Sequence, residues 1–255
     1  MELKIKSKKL KGKFIYADIA EHKDATVLVV FLSGLSGSKE LPLFERASAE
    51  FVKNGFSTLR LNFCGDEDDK QKYPNAFELS EISFSVYVAE LKNILDSVGK
   101  KYTSIVLVGH SFGTPVSIMF LKKYKKYTSK TQLIIWDPTL LPWKKEWMEE
   151  DYIFNTDKKL YISKHNKKEV VNKIFYKECI CIKNTTETLQ SFEKGVCIVA
   201  AEKGAHDDAK KYFAKLRNKK SSTLSIIKGA NHLFDGKRVQ KELFEKTLEF
   251  LKKKV

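Results

Sequence analysis

The sequence contains no long hydrophobic run, so a membrane-spanning protein is not indicated. Its longest apolar stretch, TVLVVFL at 26–32, has the length of a strand, whereas about 20 apolar residues are needed to cross a bilayer. The opening residues, MELKIKSKKLKGK, are charged and contain no apolar segment of the signal-peptide type. We therefore expect a cytoplasmic protein without a membrane span.

Cysteine is scarce. The four cysteines of the 255-residue chain are too few to indicate a disulfide framework, and no CxxC pair or histidine cluster suggests a zinc site. Cys179 and Cys181 alternate as neighbours on a strand would. We expect free thiols, no metal and no organic cofactor. The cysteines are Cys64, Cys179, Cys181 and Cys197.

Arginine is also scarce, although the net charge is +15. Only four of the 47 basic residues are arginine, and the lysines are spread along the whole chain. Arginine is the usual bidentate reader of phosphate and guanine. We interpret the charge as a lysine-rich solvated surface and expect no specific nucleic-acid partner. Association with a polyanion or a membrane surface is the alternative.

Apolar strands and amphipathic helices alternate along the chain. After an opening hairpin over 3–21, the periodicity predicts strands at 25–34, 56–63, 103–110, 131–138, 196–202 and 223–231, and helices at 40–55, 79–99, 113–126, 206–218 and 237–253. Near-continuous apolar strands separated by helices indicate an α/β domain, with a mainly parallel central sheet covered by helices on both faces. We expect one domain over residues 1–255.

Residues 139–195 interrupt this alternation. They contain a possible hairpin at 152–163 and a polar helix, so we interpret them as a small cap inserted between two sheet strands. Aromatic residues are concentrated here and at the end of the strand before it. They either line an apolar acyl or aryl pocket or form the core of the cap. They are Trp136, Trp143, Trp147, Tyr152 and Phe154.

The stretch SIVLVGHSFGTPVSIMF at 104–120 places Ser111 between two glycines where a strand meets a helix. This is the arrangement of a nucleophile elbow, in which side chains at Gly109 and Gly113 would collide with the neighbouring strand and helix. The serine would lie at the carboxyl end of the sheet, where open α/β sheets bind ligands. A plain turn whose serine caps the helix is the alternative.

Two further segments complete a possible reaction centre. The glycine-rich stretch FLSGLSGSKE at 31–40 follows the strand expected beside the nucleophile strand. The N–H of Leu35 in this loop and the N–H of Phe112 would form an oxyanion hole. In KGANHLFDG, His232 follows the last strand, and a serine needs such a base because its own pKa is too high for attack at neutral pH.

These motifs resemble the α/β-hydrolase superfamily. The likeness is strongest to small bacterial esterases and lipase-like enzymes near the serine aminopeptidase and cinnamoyl-esterase branch, and it covers about 25–137 and 196–250. VLVGHSFGT and GANHLFDG are similar to the nucleophile and histidine motifs of that branch. Ser33 stands where the family usually has histidine, and Asn62 stands where aspartate is common.

The resemblance leaves the acid of the triad open. The family usually places it after the strand that precedes the histidine, and Gly204 occupies that position here. Asp208 comes four residues later, where a helix is expected to begin. Asp137 ends the strand after the nucleophile helix, and some lipases of the superfamily carry their acid there. Pro138 disfavours helix at 137, so this side chain can leave the strand toward the site. We favour Asp137, with Asp208 as the alternative.

The resemblance implies a serine hydrolase that cleaves a small carboxylic ester or thioester through an acyl-enzyme. Ser111 would be the nucleophile and His232 the base, and no cofactor would be needed. A second hypothesis is a non-catalytic protein that keeps the hydrolase fold to bind a ligand, because the expected acid position holds a glycine. The sequence does not indicate the oligomeric state.

Overall fold

The computed structural model describes residues 1–62, 72–167 and 169–254. Eight strands in this part of the chain form one sheet in the order β1-β2-β4-β3-β5-β6-β10-β11. The predicted strand end at Phe63 lies outside the described residues, and so does Cys64. The strands are β1 (Glu2–Lys6), β2 (Phe14–Ala20), β3 (Val27–Leu32), β4 (Ser57–Asn62), β5 (Ser104–Ser111), β6 (Thr131–Pro138), β10 (Val196–Lys203) and β11 (Thr223–Asn231).

The sheet is mainly parallel, as the alternation of strands and helices predicts. β3, β4, β5, β6, β10 and β11 pair in parallel, whereas β1 pairs with β2 and β2 with β4 in antiparallel fashion. The central strands β3, β5 and β6 are almost wholly buried and apolar, because helices cover both of their faces.

Helices on the two faces of the sheet enclose separate hydrophobic cores. α1 and α8 cover one face, and α2, α3 and α7 cover the other. α2 begins later than the predicted residue 79, because Ser83 caps it by accepting a hydrogen bond from the N–H of Val86. The helices are α1 (Pro42–Lys53), α2 (Phe84–Val98), α3 (Gly113–Lys123), α7 (His206–Lys215) and α8 (Lys237–Lys252).

The segment between β6 and β10 carries its own small sheet. The hairpin predicted at 152–163 is present as β7 (Tyr152–Asn155) and β8 (Leu160–Ser163), and β9 (Val170–Asn172) adds a third antiparallel strand. The rest of the segment holds α4 (Lys145–Asp151), α5 (Lys173–Cys181) and α6 (Thr185–Leu189). Its role as a cap stays a prediction.

Two details of the sequence interpretation are wrong. Cys179 and Cys181 lie in the last turn of helix α5 and not on a strand. A spacing of two residues is too short to distinguish the period of a strand from that of a helix. Trp136 does not belong to the cap. It is fully buried in β6, and its indole N–H donates to Thr247 of α8.

No helix in the described ranges is long and apolar enough to cross a membrane.

Candidate active site

Ser111 ends β5 and has the left-handed backbone expected of a strained elbow, with φ of 52°. Both flanking glycines are required by close contacts. A Cβ at Gly113 would lie 2.2 Å from the carbonyl oxygen of Leu32 in β3, and a Cβ at Gly109 would lie 2.7 Å from the carbonyl oxygen of Gly113 at the start of α3. These are the collisions with strand and helix that the sequence predicts.

Asp137 lies at a bulge between β5 and β6. His110 pairs with Trp136 and Ser111 pairs with Pro138, so Asp137 is the extra residue, and its φ is 39°. A bulge re-aims a side chain relative to the regular alternation of a strand. The Asp137 carboxylate is fully buried as a result, at the end of the sheet that also carries the serine.

The carboxylate of Asp137 contacts the ring of His232. Oδ2 lies 2.5 Å from His232 Nδ1. The other oxygen, Oδ1, accepts hydrogen bonds from the N–H groups of Ala201 and Ala205, at 2.8 and 2.9 Å. These donors stabilise the charged carboxylate in its buried position.

The surroundings of Gly204 explain why the position where the family usually has its acid carries no side chain. A Cβ there would lie 2.3 Å from Oδ2 and 2.9 Å from Cγ of Asp137. The Asp137 carboxylate therefore occupies the space that a side chain at 204 would enter. Asp137 lies near the end of β6 and Gly204 in the turn after β10, but both positions lead to one place beside His232.

Asp208, the alternative acid, lies in the first turn of α7 and forms an ion pair with Lys211 at 3.0 Å. In the described structure the carboxylate partner of His232 is Asp137 and not Asp208.

The loop after β3 lies against the serine. A Cβ at Gly34 would be 3.1 Å from Ser111 Cβ, so the loop brings the following residue, Leu35, to the elbow. Ser33, the departure from the family histidine, closes this loop by donating its hydroxyl to the carbonyl oxygen of Gly37 at 2.9 Å. Phe112 directly precedes α3, and its ring is buried.

A buried lysine anchors the far end of the same loop. Lys39 is 1% exposed and contacts Asp18 at 2.7 Å and Glu40 at 3.2 Å. Burial alone would lower the pKa of Lys39, but hydrogen bonds, chiefly with Asp18 and Tyr73, outweigh it and raise that pKa. The lysine therefore stays charged and ties the loop to β2.

The sequence places His110 at the elbow but does not predict its contact with His232. It is almost fully buried, and its Nε2 lies 2.8 Å from the carbonyl oxygen of His232. The two rings are 4.8 Å apart. Burial, together with nearby His232, lowers the pKa of His110 to about 4, so its neutral ring can donate from Nε2 to that carbonyl. Only the fold brings these two residues, 122 positions apart, into contact.

Thr139 was also not identified from the sequence. Its hydroxyl lies 3.2 Å from Ser111 Oγ, and in the described structure this threonine, rather than His232, is the hydrogen-bonding partner of the serine. The backbone of Thr139 is held on both sides, because its N–H donates to Ser111 and its carbonyl oxygen accepts from Tyr212.

A cavity of about 250 Å³ begins beside the serine at Leu35 and Thr139. Of the five aromatic residues considered for a pocket, Trp143, Trp147 and Tyr152 line it, while Phe154 packs against Tyr161. The lining is Leu35, Thr139, Leu140, Trp143, Trp147, Met148, Asp151, Tyr152, Glu169 and Asp208. Within the described ranges, no cluster of His, Cys, Asp and Glu side chains is suited to hold a metal ion.

Several solved structures share this architecture. Est1E from Butyrivibrio proteoclasticus, with ferulic acid bound, is 16% identical, with a TM-score of 0.76 over 98% of this chain and 99% of that one. Mouse alpha/beta hydrolase domain-containing protein 10 is 16% identical, with a TM-score of 0.73 over 99% of both chains. A thermophilic esterase from Thermogutta terrifontis is 14% identical, with a TM-score of 0.68 over 99% of this chain and 98% of that one.

No family model matches the chain, and no curated protein matches it in sequence. At 14–16% identity the likeness to the solved structures concerns the fold. The resemblance found in the motifs agrees with the strand order, with the elbow, and with the near-complete coverage of both chains. The chain therefore has the α/β-hydrolase fold.

Proposed function

We propose that the protein is a serine hydrolase that cleaves a small carboxylic ester, or a thioester, through an acyl-enzyme on Ser111. The observation that carries the proposal is the 2.5 Å contact between the buried carboxylate of Asp137 and His232 Nδ1. A buried carboxylate in this position fixes the imidazole tautomer, leaves Nε2 free to accept a proton, and stabilises the imidazolium. The fold shared with esterases supports the same reaction class, although fold alone does not imply function.

In the proposed reaction, Ser111 Oγ turns from Thr139 toward His232 and attacks the carbonyl carbon. Its proton passes to His232 Nε2, and the carbonyl oxygen becomes an oxyanion held by the N–H groups of Leu35 and Phe112. Collapse expels the alcohol or thiol, which takes the proton from His232. Water then attacks the acyl-enzyme with His232 again as base, and the acid is released with Ser111 restored.

The non-catalytic binding hypothesis is supported by one observation, the hydrogen bond that joins Ser111 Oγ to Thr139 rather than to His232. A serine held permanently in this orientation would not be activated. Catalytic hydrogen bonds are often poorly aligned in the absence of substrate, so we favour the hydrolase.

Labelling with a fluorophosphonate probe separates the two functions. We expect the intact protein to be labelled covalently and the Ser111→Ala variant to remain unlabelled. Labelled protein would then be tested with ester and thioester panels for turnover. Absence of labelling in the folded intact protein would contradict the hydrolase and leave ligand binding as the function. A cytoplasmic location and the absence of a nucleic-acid partner remain predictions.

A further inference from the structure

The cavity beside Ser111 has a local charge opposite to that of the chain. Three carboxylates line it, from Asp151, Glu169 and Asp208, and among the described residues no lysine or arginine does. The chain as a whole carries a net charge of +15. The general field therefore favours anions, while the cavity itself favours a cation.

Glu169 is the carboxylate best placed to act on a ligand in the cavity. Asp151 and Asp208 already contact His165 and Lys211, at 3.1 and 3.0 Å, in exposed pairs. Glu169 is half-buried, and its partner in the described part of the chain is the hydroxyl of Tyr152. Burial and then the charge of Asp151 raise the pKa of Glu169, and a cation bound in the cavity would oppose both effects.

The walls of the cavity are aromatic, which is a separate observation from the carboxylates. Trp143, Trp147 and Tyr152 line it, and Trp147 is 51% exposed despite its large apolar ring. Ring faces attract cations, and sites for quaternary ammonium groups are commonly built from several such rings. The Nζ of Lys144 lies 5.0 Å from the Trp147 ring, so this ring already contacts one cation of the chain.

The cavity also borders the proposed reaction centre. Leu35, whose N–H is assigned to the oxyanion, and Thr139, which contacts Ser111 Oγ, both belong to its lining. A molecule that fills it would therefore have one end at Thr139, next to the serine, and another part among the rings and carboxylates.

We propose that this cavity selects substrates that carry a cationic ammonium group a few bonds from the scissile carbonyl. The inference rests on the proposed function, because it identifies the substrate class of the same site. The ammonium group takes no part in bond making. Hydrolysis with water gives an acid and an alcohol, and the group stays on one of them unchanged.

Matched substrate pairs test the charge alone. On the acyl side, 4-nitrophenyl 4-(trimethylammonio)butanoate is compared with 4-nitrophenyl 5,5-dimethylhexanoate, which replaces the nitrogen by carbon at equal shape. On the alcohol side, acetylcholine is compared with 3,3-dimethylbutyl acetate. We expect kcat/KM to favour the cation about tenfold in at least one pair, which corresponds to about 1.4 kcal/mol. Ratios below fivefold in both pairs would overturn the proposal.

Variants connect the preference to the cavity. Glu169→Gln should reduce the ratio between cationic and neutral substrates to nearly one, while Gln can still accept the Tyr152 hydroxyl. Glu150→Gln is the matched control, because it removes the same charge from an exposed residue of α4 that does not line the cavity, and its ratio should be unchanged. Asp151→Asn, at a more exposed position, replaces Glu169→Gln if that variant does not fold. An undiminished ratio in the cavity variant would refute the assignment.

Binding distinguishes failure of this inference from failure of the proposed function. If the probe does not label Ser111 and no ester is turned over, the hydrolase proposal fails, but the cavity can still be tested. Trp143 and Trp147 report on it by fluorescence. Tighter binding of 4-(trimethylammonio)-N-methylbutanamide than of neutral 5,5-dimethyl-N-methylhexanamide, reduced by Glu169→Gln, would support cation selection. Equal binding, or tighter binding of the neutral compound, would overturn it.

Discussion

The glycine at position 204 permits a demanding test of Asp137, in which the carboxylate is moved from β6 to the turn after β10. Three proteins are compared with the original: Asp137→Asn, Asp137→Ala, and the double variant Asp137→Ala/Gly204→Asp. If the Asp137 carboxylate orients His232, removing it should abolish most of the activity, and supplying a carboxylate from position 204 should return part of it.

The expected loss of kcat in Asp137→Asn follows from the role of the carboxylate. Asp137→Asn keeps the shape of the side chain but loses its charge and favours the wrong imidazole tautomer. A change of this kind in a triad lowers kcat by about four powers of ten, which is about 5.5 kcal/mol at the transition state. We expect a loss of that order.

The expected rescue of activity in the double variant follows from the geometry at Gly204. An ideal Cβ there lies 2.3 Å from the position of Asp137 Oδ2. Within any aspartate, Cβ and a carboxylate oxygen are about 2.4 Å apart, from ordinary bond lengths. An aspartate at 204 can therefore place an oxygen where Asp137 Oδ2 now contacts His232, provided that the side chain at 137 has been shortened.

The rescue should be incomplete, because Asp137 also accepts two buried N–H groups. Ala201 and Ala205 donate to Oδ1, and an unsatisfied buried donor costs about 1–3 kcal/mol. We expect the double variant to exceed Asp137→Ala by one to two powers of ten in kcat/KM and to remain below the original.

The assay is kcat/KM for a short 4-nitrophenyl ester, with the rate of fluorophosphonate labelling as a second readout and circular dichroism to verify folding. Near-normal turnover of Asp137→Asn would refute the role of Asp137. A folded double variant no faster than Asp137→Ala would refute the argument that positions 137 and 204 lead to one carboxylate site.

Three further outcomes are expected. Gly113→Ala should lower the free energy of unfolding, measured with urea, by about 2 kcal/mol or more, because its Cβ would lie 2.2 Å from a carbonyl oxygen. The control is Gly99→Ala, whose Cβ would make contacts of 3.4 Å or longer. It should change the free energy of unfolding by less than about 1 kcal/mol. His110→Phe should reduce kcat/KM about 10- to 100-fold, since the carbonyl of His232 loses its donor. His110→Gln, which can still donate, should lose less of kcat/KM. Equal losses in both variants would count against positioning of His232 by His110 Nε2. Burial would raise the pKa of Glu40, but its lysine and tyrosine partners lower that pKa from 4.5 to about 2. The contribution of Glu40 to the stability of the fold is therefore present above pH 4.5 and lost as the pH falls toward 2. The urea midpoint should accordingly fall less between pH 6 and pH 3 in Glu40→Gln than in the original protein.

The sequence predicted those parts of the fold and site that depend on local geometry. The elbow could be identified because its strand, turn and helix are consecutive in the sequence, with a glycine on each side of the serine. Gly109 lies against the start of α3, and Gly113 lies against Leu32 of β3. The place of Asp137 beside the nucleophile strand could be expected from the order of elements and from the proline after it. The catalytic roles of these residues stay predictions.

Contacts that depend on register or on the segment between β6 and β10 could not be predicted. The bulge that lets Ser111 pair with Pro138 turns Asp137 inward and brings Thr139 to the serine, and no residue type marks such a shift. The carboxylates of the cavity come from three separate elements around α4, β9 and α7. Trp136 lies in the strand predicted at 131–138 and not in the segment after it, and that strand directs its ring into the core beneath α8.

The empty acid position does not count against a complete reaction centre. In isolation, a glycine at 204 suggests that an acid has been lost, and this favours a purely binding function. The space beside it is filled by Asp137, and a Cβ at 204 would approach Oδ2 to 2.3 Å, a distance that unbonded atoms do not adopt. Positions 137 and 204 therefore cannot both carry a side chain here, and a carboxylate from β6 requires a glycine after β10. The glycine is thus explained by the Asp137 carboxylate, and it gives no independent support to a site without an acid.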